Sequence, residues 1–514
     1  MAEPSRPPYP VRMRARTVVW LLGWCWATAC DPEPPSSEGR ACTSDDACAG
    51  LVCAPEANPA PADLAEWKLV CAARSGGAAQ GEACRTSKDC SHGLCLLAGG
   101  CSTPCSDEAQ CGAHSRCALA YARSSTDTLA TVHACVARVD LPADARIDTH
   151  IRRAALNAGV TALDLPAVDH DSLFVLEHLD DNSWPVPDPM SVCRPPLCAR
   201  KLETRAAEPQ LLFELMRLPA DGPDNPVANG NQVNPLTVLL PNGPRAALAS
   251  EGYRLDVEAK HGGDLRVTQL SREGSAQRLD LNLYYVGARE LSAEAERGGA
   301  ALQAALEEVD RIFARADIFI GDVRQVEVRG ALLDRGTPLP AAEVSQGFRR
   351  LRSQYQVLPQ LPKLLELSAG AGNVALDVFF VADIEAIGGD VGGIAGGTPV
   401  PLGMHGTAGS GLVIASDMYV AARDAVKFGR TLAHEIAHAL GLFHTTEVDG
   451  SVFDPLPDTP VCAKQRDANR DGLLDASECR DFGADNLMFP TSDATGSTLS
   501  DDQVAVLQRA LILQ

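Results

Sequence analysis

The chain has 514 residues, 45% of them hydrophobic, which is enough for several cores and suggests roughly three domains. With 45 Lys and Arg against 67 Asp and Glu its net charge is -22, which argues against nucleic acid and anionic membrane surfaces as partners and suits an exported, soluble body. No internal run is long and apolar enough to be a bilayer-spanning helix.

Residues 1–29 read as an export signal. Arg12, Arg14 and Arg16 supply the charge, Thr17 to Trp26 a short apolar stretch, and Ala27-Thr28-Ala29 a small-residue cleavage site. Cys30 then follows the cut and resembles the acylated cysteine of a bacterial lipoprotein, although Ala27 stands where leucine is commoner. Cysteine parity agrees: 18 less Cys25, lost with the signal, and less a lipidated Cys30 leaves 16 that can all pair. A cell-surface lipoprotein is expected, touching the membrane only through Cys30, with simple secretion as the alternative. The stretch 30–40, rich in Pro, Ser and Glu, reads as a tether.

Residues 41–138 repeat a cysteine pattern three times: Cys42, Cys48, Cys53, Cys71; Cys84, Cys90, Cys95, Cys101; Cys105, Cys111, Cys117, Cys135. Five residues separate the first two of each quartet and four or five the next two. The even count and the export signal predict disulfides rather than thiolate metal sites, in a region serving as a stalk or binding module. The connectivity stays open.

Residues 139–275 are expected to form a β-rich domain of unknown role, a prosegment or a binding unit. Tyr253 to Ala259 and Leu265 to Leu270 alternate apolar and polar residues around His261-Gly262-Gly263-Asp264, which predicts a hairpin. Cys193 and Cys198 flank a Pro-Pro turn and are expected to pair locally.

From 276 to 514 the pattern changes to α/β. Leu279 to Val286, Ile318 to Val328 and Val374 to Ala382 read as strands, Ala293 to Ala316 as a helix, and Gly411 to Ala415 as a continuation of the sheet. His405, in the glycine-rich passage before it, is expected to be solvent-exposed. Asp424 to Leu442 reads as a helix with Phe428, Leu432, Ile436 and Leu440 turned to the core.

That helix carries His434-Glu435-Ile436-Ala437-His438, followed by Gly441 and His444. Residues four apart share a helix face, so His434 and His438 can aim at one ion, and Gly441 permits the left-handed turn that returns His444 as a third ligand. Three ligands leave a zinc coordination position open for water. Glu435, one step round the helix, is placed to act on that water as general base.

The long motif, followed by Met488 within Asp485-Asn486-Leu487-Met488-Phe489-Pro490, resembles the metzincin clan of zinc endopeptidases, in which such a methionine lies beneath the metal. The long interval from His444 to Met488 makes the pappalysin family the better likeness, and Leu487-Met488-Phe489-Pro490 with Leu499-Ser500-Asp501-Asp502-Gln503 makes the matrixins second. Pro490 occupies the place where some relatives carry a tyrosine ligand, so no such ligand is expected. The resemblance implies a multidomain chain ending in an α/β (α+β) zincin-type catalytic domain. It also implies that the glycine-rich passage Gly388 to Gly411 precedes an edge strand that aligns extended substrate by backbone pairing.

Inside that interval, Asp467, Asn469, Asp471, Asp475 and Glu478 supply oxygens at positions 1, 3, 5, 9 and 12 of a calcium loop, with Gly472 at 6 and the Leu473 carbonyl at 7. Pappalysin relatives bind calcium near the active site, which agrees with this placement, and Asp454 and Asp458 become further ligands by the same resemblance or else belong to a solvated turn. Cys462 and Cys479 bracket the loop, far from other cysteines, and are expected to bond each other. The expectation is an exported endopeptidase using Zn2+ and Ca2+ on protein or peptide substrates; the alternative is a catalytically silent adhesin that keeps the fold.

Overall fold

The structure, a computed structural model, describes residues 40–42, 48–55, 69–73, 76–85, 87–105, 108–112, 115–123, 129–137, 147–168, 170–178, 197–205, 211–214, 235–240, 251–259, 262–286, 291, 296–328, 350–352, 361–386, 389–407, 409–454, 456–491 and 496–514. The export signal, Cys30, the tether and the expected Cys193–Cys198 bond lie outside these residues. The described residues belong to one unit, Glu38–Gln514.

The cysteine-rich region forms short antiparallel ladders. Strand β1 (Val52–Pro55) pairs with β2 (Leu69–Ala72), and β3 (Cys95–Leu96), β4 (Ser115–Arg123) and β5 (Leu129–Ala137) make a three-stranded sheet. Each quartet is joined first to third and second to fourth: Cys42–Cys53 and Cys48–Cys71, Cys84–Cys95 and Cys90–Cys101, Cys105–Cys117 and Cys111–Cys135. With so little apolar surface to bury, these ladders depend on the cross-links, each worth about 2–4 kcal/mol. The region is not a free stalk. Leu97 is buried in one cluster with Tyr284, Leu364 and Phe379, and Ala369 completes the small core of Leu94, Leu96 and Val132. Arg324 donates to the Ala98 carbonyl, and Arg116 to the His405 carbonyl at 3.4 Å.

Next comes a sandwich of two antiparallel four-stranded sheets. One is ordered β10 (Leu211–Glu214), β9 (Leu197–Thr204), β12 (Tyr253–Ala259), β7 (Gly159–Leu165); the other β11 (Leu236–Leu240), β8 (Asp171–His178), β13 (Gly263–Arg272), β6 (Ile147–Leu156). The expected hairpin is therefore corrected: β12 pairs with β7 and β9, whereas β13 pairs with β6 and β8. The two apolar faces meet across the sandwich, Leu255 and Val257 with Leu265 and Val267, instead of lying side by side. Leu173, Val175, Leu239 and Leu270, on the other face of the second sheet, join the main core of the layer that follows.

That layer is a mixed α/β sheet. Strand β14 (Arg278–Val286) leads to α1 (Glu296–Phe313), β15 (Phe319–Val328), β16 (Arg350–Arg352), α2 (Leu361–Leu365), β17 (Leu376–Val381), β18 (Asp383–Ala386), β19 (Gly389–Asp390), β20 (Gly393–Ala395), β21 (Gly411–Ala415), α3 (Asp417–Ala422), α4 (Ala425–Ala439) and, nearest the C-terminus, α5 (Asp501–Gln508). The five-stranded order is β15-β14-β17-β21-β20, with β20 the one antiparallel member, on the edge. Central β14 is apolar on both faces: Leu281, Leu283 and Tyr285 enter the main core, and Tyr284 and Val286 the cluster on the far side. Phe428, Leu432, Ile436 and Leu440 of α4 are all 0% exposed.

His405 departs from expectation. It is buried, with Nδ1 2.6 Å from Asp377 Oδ2 and Nε2 2.7 Å from the Asn373 carbonyl. Asn282 binds the other Asp377 oxygen at 2.9 Å. Burial disfavours the charged ring, but Asp377 and the Asn373 carbonyl outweigh it and raise the His405 pKa, against a smaller opposing effect from Arg324. A loop histidine reads as solvated in sequence because the carboxylate that draws it inward is 28 residues away.

Candidate metal centre and cleft

Helix α4 starts at Asp424, whose carboxylate accepts the Lys427 backbone N–H at 2.9 Å. It ends where Gly441, at φ 115°, lets the chain reverse. The reversal brings the three predicted ligands together: His444 Nε2 lies 3.2 Å from His434 Nε2 and 3.0 Å from His438 Nε2. Ligands held at zinc–nitrogen distances in a tetrahedron are about 3.3 Å apart, so the spacing suits a single ion.

The Nδ1 atoms fix the tautomers. His434 Nδ1 donates to the Leu487 carbonyl at 2.7 Å, and His438 Nδ1 to the Leu442 carbonyl at 2.7 Å. His444 Nδ1 faces Glu447 Oε1 at 3.2 Å. A neutral imidazole that donates through Nδ1 turns a bare lone pair outward at Nε2. Bare lone pairs about 3 Å apart repel unless a cation lies among them, so the donor set itself fits a metal. Burial above all, and then the nearness of the His444 ring, pushes His434 down to about 3 and His438 well below its usual value, so both rings stay neutral.

Glu435 is 6% exposed, and burial pushes its carboxyl up to about 8 against an opposing hydrogen bond with the Ala395 backbone. It lies beneath the edge strand. A methyl group on Gly393 would stand 2.5 Å from Glu435 Cγ, so only glycine allows β20 to cross there. The three histidines and Glu435 share a cleft of about 480 Å³ with Gly393 and Ile394 of β20, Thr431 of α4, and Phe489 and Pro490 beyond the methionine.

Met488 is fully buried; its N–H donates to Asn486 Oδ1 and its carbonyl accepts from Thr445 N–H, one residue past His444. Asn486 and Gln503 exchange side-chain hydrogen bonds of 2.8 and 3.1 Å, tying this turn to α5. Cys462 and Cys479 are bonded to each other, as expected.

The side chains of the expected calcium loop accept hydrogen bonds from the loop's own backbone. Asp467 accepts from the backbone of Arg470 and Gly472, Asn469 from Asp471, Asp471 from Leu473, Asp475 from Ser477, and Glu478 from Ala468. Leu473 is 54% exposed. Among the described residues, the groups of three or more side chains gathered as for a metal are the histidine centre and the cysteine quartets, whose sulfurs are already bonded to one another. Asp458 accepts from the Ser500 hydroxyl and the Asp502 backbone at the start of α5, and Asp454 from Thr459 and Leu456.

Sequence reasoning missed Glu447, Gly393 and the carbonyls of Leu442 and Leu487. Glu447 alone carried a signal, a carboxylate three residues past the last histidine. The other three depend on chain crossings that no local pattern reveals.

No family model matches the chain, and no curated protein matches it. Among solved structures, it is similar to metalloproteinase-II from Bacteroides fragilis, at 15% identity over 46% of this chain with a TM-score of 0.24. The chain covers 53% of that structure, about half its length, and so distant a likeness carries no argument about the site.

Proposed function

We propose that this protein is an exported zinc-dependent endopeptidase with Glu435 as general base. The observation that carries the reading is the convergence of three Nε2 atoms at 3.0 and 3.2 Å, each ring held from behind, beside a buried carboxylate under an edge strand. His434, His438 and His444 would hold the ion, which when bound supplies a Lewis acid that polarises the scissile carbonyl and acidifies water. The side of β20 that meets no other strand among the described residues offers backbone groups to an extended peptide. Glu435 takes a proton from the attacking water and delivers it to the leaving amine. Its burial keeps competing water away and its basicity high, and a nearby dication would draw its pKa down towards the working range.

Glu435→Ala is expected to lower casein cleavage by about 10²-fold or more while the metal content, read by atomic absorption, is unchanged. Full activity in this variant would end the mechanism. The motif and Met488 support a metzincin-type enzyme, most like the pappalysins with the matrixins second. The seven disulfides of the described residues suit an exported protein, and none of the described helices is long and apolar enough to cross a membrane. Lipid attachment at Cys30 and the divisions at 138 and 275 remain proposals from the sequence.

Calcium at Asp467, Asn469, Asp471, Leu473, Asp475 and Glu478 is supported by the twelve-residue pattern alone. If it binds, a calcium chelator should speed proteolytic nicking near Asp467; unchanged resistance would remove the ion from the proposal.

A further inference from the structure

The lining of the cleft is cationic although the chain as a whole is acidic. That lining carries Lys427 and Arg430 from α4, with Glu435 as the carboxylate among its described residues, although the net charge of the chain is -22. Lys427 has no ion pair among the described residues; Asp424, which takes its backbone N–H, is the opposing charge at this end of α4. Arg430 Nε faces Glu308 Oε1 at 3.5 Å, but Glu308 is already held by Arg311 at 2.6 and 2.7 Å. Two guanidinium groups on one carboxylate leave a positive charge over.

The direction of β20 says which part of a substrate meets these cations. A methyl on Gly392 would stand 3.0 Å from Thr431, and one on Gly393 2.5 Å from Glu435, so β20 and α4 run the same way. A peptide adding antiparallel to β20 therefore runs against α4, and its residues after the scissile bond head for the start of the helix. Lys427, Arg430 and Thr431 lie on the helix face of His434. Along the axis Arg430 precedes His434 by about 6 Å and Lys427 by about 10 Å, the distance covered by the first two or three residues of an extended chain.

We infer that the cleft selects peptides carrying Asp or Glu at the second or third residue after the scissile bond, with Lys427 and Arg430 as the specificity-determining residues. This rests on the peptidase reading above. The test uses the full chain loaded with zinc and two sets of peptides identical except for Glu, Gln or Lys at the second or at the third residue after the scissile bond. The Glu peptide should exceed the Gln peptide by about tenfold in kcat/KM, the worth of a hydrogen bond to a charged group. Lys427→Glu should erase or reverse that ratio, Lys427→Arg should keep it, and Arg430→Gln should reduce it. Fluorescence anisotropy of the same peptides on the Glu435→Ala variant reads the preference without turnover. Cleavage with no preference for Glu, or an unchanged ratio in Lys427→Glu, overturns the inference and leaves the peptidase standing. Selective binding of the Glu peptide through Lys427 with no cleavage by the wild type upholds the acidic subsite and overturns the peptidase.

Discussion

Each imidazole of the metal centre is held from a different part of the chain: His434 by the Leu487 carbonyl, His438 by the turn it precedes, and His444 by Glu447. Of these tethers Glu447 is the one a substitution can remove cleanly, because its side chain is 45% exposed and its loss leaves the packing intact. Glu447→Gln should weaken zinc binding by about tenfold, as loss of an outer partner of a ligand commonly does, with thermal unfolding of the metal-free protein unchanged. Competition with a chelating dye measures the first and calorimetry the second. An unaltered affinity would mean that the His444 ring needs no partner.

At the scale of elements, the loop between β20 and β21 is pinned to the sheet by His405 on Asp377. Because the folded pKa of His405 is raised above its usual 6.5, the stabilisation is fully present below that value and is lost as the pH climbs through the higher folded one. His405→Ala should cost about 3–5 kcal/mol at low pH, since it strands a buried carboxylate, and should remove this part of the pH dependence. Urea titrations from pH 5 to about 9 check both, and parallel curves for the two proteins would contradict the account. The sequence made β21 legible to the residue and α4 to within three, because their apolar spacing is local. The histidine triad was equally legible, with two members on one helix and the third past a glycine turn. What escaped was whatever a partner far along the chain decides: the burial of His405, and the splitting of β12 and β13 between two sheets. Alternation says which face of a strand is apolar, not whether that face is covered by a neighbour in its own sheet or by another sheet.

On the scale of the whole molecule, the sandwich and the α/β layer share one core. Leu239 stands behind the zinc-motif turn, 3.4 Å from the position a methyl on Gly441 would take. Thr237 donates to the Pro399 carbonyl at 2.9 Å, and Arg272 to the Leu513 carbonyl at 2.9 Å. Leu239→Ala should therefore destabilise sandwich and α/β layer together, by about 2–5 kcal/mol, in a single thermal transition. Two separated transitions would show that the sandwich folds on its own account. The cysteine ladders join the same body through Leu97, which sits between Cys95 and Cys101 and fills the far side of the sheet. Closing those bridges thus decides when the layer is sealed: under reducing conditions the ladder around Leu97 loses its staples and one wall of the α/β core goes slack, so a reductant should soften the body well beyond the cysteine region.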